Sequence, residues 1–242
     1  MPIQAIEPRR LYRQIADQLR SLILGGEYAV GSRLPAERDL AARLAVSRPS
    51  VREALIALEV EGHVEVRPGS GIHVIARDPA PSAQRLKPDD VGPFEIMGAR
   101  HLIEGELAAL AAQQATDEQV AGLLEALSLM QADVADGAMP IASDRLFHLR
   151  VAEVADNVLL LRTVTDLYDQ RNNPLFEMMG HHFENEKTWR QAISEHRAVV
   201  KAIAAHKPEQ ARAAMHLHLK RSQARFADTW PQASEHPVGA LA

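Results

Sequence analysis

Asp144, His148, His196 and His218 combine residue types and spacing that suit a bound cation. Asp144 and His148 stand four apart in "DRLFHLRVAEVA" (144–155), and Val151, Ala152 and Ala155 continue the same helix face. His196 falls on a stripe with Trp189, Ala192, Ile193, Val199, Val200 and Ile203, and His218 on one with Ala211, Met215, Leu219, Ser222 and Phe226. His216 lies with Arg212, Lys220 and Gln223 on the outward face of that last helix. A single buried imidazole usually finds a hydrogen bond and is no ligand. Three imidazoles and a carboxylate sent inward from three helices all need partners in a core, and one divalent cation would satisfy all four. The set suits zinc first, with nickel or manganese as alternatives, and leaves open positions for water or substrate oxygens. There is no HExxH motif, so the zincin-protease pattern is absent.

A second group suits nucleic acid. Arg48, Pro49, Ser50 and Arg52 open a candidate helix whose N-cap is Ser47, and Arg38 lies on the helix before it. Arginine forks onto guanine O6/N7, and serine bonds phosphate or base edges. Gly69, at a hairpin tip, permits close approach to a minor groove. A third group suits an acidic small molecule. Arg100 sits by the inward stripe of Ile96, Ile103 and Leu107, where it either pairs with Glu104 four residues on or forks onto an effector carboxylate. Asn172 and Asn173, in the break "NNP", are candidates for pocket hydrogen bonds. His181 and His182 read as surface or pocket-rim residues.

The elements that must position these groups fall into two halves. Before residue 77 the pattern is a helix near 8–25, a short helix after Pro35, a third after Ser47 and two alternating strands in "GHVEVRPGSGIHVIA". Pro49 falls in the first turn of the third helix, where its missing N–H costs little. This predicts a winged helix-turn-helix, α with a small β-hairpin, over 1–76. The four-proline stretch "RDPAPSAQRLKPDDVGP" predicts a linker over 77–92. An all-α antiparallel bundle is expected over 93–230, with helices near 93–115, 117–136, 140–156, 158–171, 183–206 and 208–228, and a tail over 231–242.

Charge divides the same way. Residues 1–77 hold 11 Arg, no Lys and 9 acidic residues, whereas the whole chain carries a net charge of -5. With no cysteine, disulfides and cysteine-based zinc fingers are excluded, and a reducing cytoplasm is the expected location. The N-terminal "MPIQAIEPRR" has no apolar core and no stretch is long and apolar enough to span, so neither secretion nor a membrane partner is expected.

The blocks "LPAERDLA" and "VSRPSVREALIALEVEG" resemble the DNA-binding domain of GntR-family bacterial transcription regulators. Residues 93–230 resemble the helical effector domain (FCD) of the FadR subfamily. "EPRRLY", "GPFEIMGARHLIE" and "QRNNP" are similar to its hexuronate-utilisation repressors. The resemblance implies a homodimer on a palindromic double-stranded DNA operator, with Arg38, Arg48, Arg52 and Gly69 at DNA-contacting positions. Pro49 stands where a hydroxyl residue is common. It also implies a metal held by Asp144, His148, His196 and His218, and a small carboxylate or sugar-acid effector that controls DNA binding. The rival readings are a metal-dependent enzyme acting on sugar acids, a metal sensor without an organic effector, and a structural metal beside an unrelated ligand. No separate general base stands out for the enzyme.

Overall fold

The computed structural model describes residues 10–67, 69–79, 86–87 and 90–228. They fall into two compact units that divide between Gly92 and Pro93. The linker expected at 77–92 lies partly, and the tail at 231–242 wholly, outside the described residues. Among the described residues no helix is long and apolar enough to cross a membrane.

The first unit holds α1 (Leu11–Gly25), α2 (Glu37–Leu44), α3 (Arg48–Val60), β1 (Val64–Arg67) and β2 (Gly71–Val74). Gly26 ends α1 in the left-handed conformation, so that its N–H reaches the carbonyl of Ile23. Ala45 does the same for α2 at φ 53°, which makes the turn into α3 tight. Ser47 then caps α3, accepting from the Ser50 N–H, with Pro49 in the first turn. The strands pair antiparallel with Val64 opposite Val74 and Val66 opposite Ile72, and these four side chains face the core. This is the winged helix-turn-helix that the sequence predicts. Val51 to Leu58 are all buried, so α3 is enclosed over that stretch rather than laid on one face.

The second unit is all helical: α4 (Pro93–Gln114), α5 (Asp117–Ala135), α6 (Ile141–Val154), α7 (Val158–Asp169), α8 (Pro174–Phe183), α9 (Glu186–Ala204) and α10 (Pro208–Asp228). Helix α4 packs on α10, α6, α9 and α7, and α6 also packs on α5. The main core gathers Leu123, Met130, Phe147, Val199, Ile203, Met215 and Leu219 from four of these helices. Gly105 lets α4 and α10 approach closely, because a Cβ there would fall 1.9 Å from His216 Nε2. His216 stacks on His101 at that contact, away from the other histidines.

The expected break at "NNP" separates α7 from α8, and α8 is an additional helix that the sequence reading did not place. Asn173 caps it and Pro174 occupies its first turn, so the same residues that stop one helix start another. Helix α9 accordingly begins later than expected, where Asn185 and Thr188 form a capping box.

Candidate metal centre and nucleic-acid interface

Asp144 and His148 on α6, His196 on α9 and His218 on α10 converge inside the bundle. One donor atom from each lies within 4.8 Å of all the others. All four residues are buried, His196 completely. His148 Nε2 is 3.1 Å from His196 Nε2, and Asp144 Oδ1 is 3.7 Å and 3.5 Å from those two nitrogens. An ion with bonds of 2.0–2.1 Å separates adjacent ligand atoms by about 2.9 Å in a six-coordinate site with open positions and by about 3.3 Å in a tetrahedral one. The donor set and its spacing therefore fit a divalent ion.

Electrostatics prepare the donors. Burial pushes the Asp144 carboxyl up, but His148, Arg171 and Arg100 outweigh it and hold the pKa below the usual range. Burial lowers His196 well below its ordinary 6.5, helped by His218 and His148, and lowers His218 as well. Both imidazoles are thus neutral near pH 7, as metal ligation requires. The unfolded chain takes up protons at these histidines below about pH 6.5 while the folded chain resists. Their contribution to stability is therefore present above about pH 6.5 and lost as pH falls towards the lowered folded values. The melting temperature of metal-free protein should hold down to about pH 7 and fall below about pH 6.5. A melting temperature unchanged to about pH 5 would contradict neutral burial.

A narrow cavity of about 40 Å³, partly open to solvent, lies beside the cluster. Its wall includes Asp144 and His218, three arginines (Arg100, Arg171 and Arg225), and Phe176, Glu184 and Trp189. Arg171 donates to Asp144 Oδ2 at 3.2 Å. Trp189 is buried, and its indole N–H faces the Glu184 carboxylate. Arg100 takes the first of the two sequence alternatives, the pair with Glu104. It pairs with Glu104 at 2.6 Å, is buried, and lines the cavity. It also hydrogen-bonds the Tyr168 hydroxyl.

The two asparagines do not enter this cavity. Asn173 is spent on the α8 cap, where Oδ1 accepts from the Leu175 and Phe176 N–H groups and Nδ2 donates to the Gln170 carbonyl. Its expected ligand contact is corrected on that ground. Asn172 is exposed and borders an outer hollow that shares Arg171, Phe176 and Glu184 with the cavity wall, as does His181. Sequence reasoning missed Arg171, Arg225 and Trp189 as cavity residues. Arg225 carried a signal, since it follows His218 by seven residues and so shares its face.

In the first unit Ser47, Arg38 and Arg48 are exposed, and Pro49 and Ser50 are half-buried beside them. Ser47 Oγ and Ser50 Oγ lie 2.8 Å apart. Gly69 stands exposed at the hairpin with φ 72°. Arg52 departs from expectation. It is 1% exposed and donates through Nε and Nη2 to Glu37 Oε2 at 3.0 and 2.7 Å. Its guanidinium ties α3 to α2 instead of facing outward, because α3 is enclosed there. Arg48 donates to the other oxygen of Glu37 at 2.8 Å.

Two family patterns match the chain. "Bacterial regulatory proteins, gntR family" covers residues 11–74 and "FCD domain" covers residues 95–221. The chain belongs to the GntR family. It is a DNA-binding transcription regulator with an FCD effector domain, and not an enzyme. Among relatives, the "Exu regulon transcriptional regulator" of Escherichia coli (strain K12) is 37% identical over 91% of this chain and 86% of its own length. The "Uxu operon transcriptional regulator" of the same organism is 35% identical over 92% of this chain and 89% of its own. The solved structure of E. coli McbR/YncC shares the fold at a TM-score of 0.51 and 23% identity, covering 90% of this chain and 97% of that one. GntR regulators bind DNA, and they bind a small-molecule effector through the FCD domain.

Proposed function

We propose that this regulator is a cytoplasmic, homodimeric repressor that leaves a palindromic operator when a hexuronate or a close catabolite binds beside a metal ion. Domain 1–76 binds DNA, through Arg38, Ser47, Arg48, Pro49, Ser50 and Gly69. Domain 93–230 holds the ion, zinc first, on Asp144, His148, His196 and His218.

The observation that carries the effector reading is the cavity wall. Three arginines line a cavity next to a buried four-ligand cluster. Such a wall suits an anion rich in oxygen. A sugar acid offers a carboxylate beside a hydroxyl, a two-oxygen grip for a metal with open positions, and further hydroxyls for the polar wall. A bound ion would supply the Lewis-acidic point for those oxygens. Arg100, Arg171, Arg225 and Trp189 would orient the rest. The Exu and Uxu names of the relatives support the same class. Release from DNA then requires only that the acid bind more tightly to the DNA-incompetent arrangement.

Galacturonate, glucuronate, fructuronate and mannonate should be titrated into a fluorescent operator complex, with and without zinc. At least one should release the operator from metal-loaded protein, and chelation should abolish the response. Release by none would overturn the hexuronate reading. Equal release from metal-free protein would show that the metal is structural.

A further inference from the structure

Two carboxylates stand behind the metal ligands, and the proposed function gives them no role. Glu104, on α4, hydrogen-bonds His148 Nδ1. Glu195, on α9, lies 3.0 Å from His218 Nδ1 through Oε2. Glu104 and Glu195 are themselves buried. Each is held in turn by an arginine of the cavity wall: Arg100 on Glu104 at 2.6 Å, and Arg225 on Glu195 at 3.0 and 3.2 Å. Two chains of the form arginine, glutamate, histidine thus run from the cavity to the cluster.

An ionised carboxylate only accepts hydrogen bonds. The ring nitrogen facing it must therefore carry the hydrogen. A neutral imidazole has one N–H, so the other nitrogen, Nε2, is left as a lone-pair donor. For His148 that atom is the one 3.1 Å from His196 Nε2, at the centre of the cluster. The carboxylates fix the tautomer and the ring plane together, and the arginines fix the carboxylates.

We propose that Glu104 and Glu195 are positioning residues of the metal centre, which orient His148 and His218 and are anchored by Arg100 and Arg225 of the effector cavity. The proposal rests on the metal reading above. Its consequence is that metal retention depends on residues that touch no metal. Loss of an outer partner of this kind weakens metal binding roughly 10–100-fold.

Zinc affinity should be measured by competition with a chromophoric chelator for wild type, Glu104→Gln, Glu195→Gln and Glu106→Gln. Glu106 pairs with Arg212 at the surface and serves as the control. The first two variants should bind zinc roughly ten-fold or more weakly, and the control should match wild type. In parallel, ring-nitrogen NMR of metal-free wild type should find His148 and His218 protonated at Nδ1. That reading needs no variant and decides the matter even if Glu104→Gln fails to fold. Wild-type protein that takes up no zinc would overturn the metal reading and this proposal with it. Zinc uptake by wild type, with unchanged affinity in both glutamine variants or with the hydrogen found on Nε2, would overturn the positioning role alone.

Discussion

His196→Ala protein should emerge from purification with almost no divalent ion, while His216→Ala protein keeps about one per subunit. The two residues separate the metal cluster from the α4–α10 contact, where His216 lies half-buried. His196 is fully buried, and its Nε2 is 3.1 Å from that of His148 and 3.5 Å from Asp144 Oδ1. Removing it takes one of four donors from the centre of the cluster and leaves a void bordered by Asp144, His148, His218 and Phe147. His216 stacks on His101 over Gly105 and touches none of the four. The effect extends to stability, because an ion that binds only the folded state stabilises it by mass action. At a thousand times its dissociation constant, zinc should add about 4 kcal/mol to wild type. For a domain of this size that is a rise in melting temperature on the order of 10 °C. His196→Ala should show almost none of that rise, and His216→Ala nearly all of it. Native mass spectrometry with elemental analysis, and melting curves with and without zinc, read both outcomes. Equal loss of metal from His216→Ala, or full occupancy in His196→Ala, would refute the arrangement.

The second large effect separates two arginines four residues apart on α3. Arg52→Ala should destabilise the winged unit by about 3 kcal/mol, the lower end of the range for breaking a buried ion pair. It deletes a large buried side chain and takes two hydrogen bonds from the buried Glu37 carboxylate. The remaining bond from Arg48 keeps the loss from being greater. Arg48→Ala should leave the melting temperature nearly unchanged, since the side chain is half exposed. It should instead weaken operator binding by about 1–3 kcal/mol if it reads a base. Arg52→Ala protein with wild-type stability would show that Arg52 is not the internal tie described above. Arg48→Ala protein with wild-type operator affinity would remove Arg48 from the DNA interface.

The sequence shows the helix starts and the inward histidines because those signals are local. Ser47 before Arg48-Pro49 marks α3 by cap chemistry alone, and a 3.6-residue period is enough to send His148, His196 and His218 the same way as their apolar neighbours. Facing arguments fail where a helix is covered on more than one side. Val51 through Leu58 are all buried, so no stripe distinguishes Arg52 as inward. Glu195 and His196 are adjacent, yet both are buried, because α9 packs against α4, α5 and α10 together. Helix α8 escapes for another reason. Asn-Asn-Pro ends one helix and begins the next, and only the hydrogen bonds of Asn173 say which function wins.

Glu37 gives each of its oxygens to a different arginine, Oε2 to the buried Arg52 and Oε1 to the exposed Arg48. Only Nε of Arg48 meets that carboxylate, and its two terminal NH2 groups are left for other acceptors. An acceptor that approached Arg48 from outside would thus meet a guanidinium already fixed along one edge, with no bond to break first. Glu37 would serve as a brace: the buried carboxylate that ties α2 to α3 through Arg52 would also set the aim of the exposed arginine, so that the direction of a surface side chain is decided inside the core.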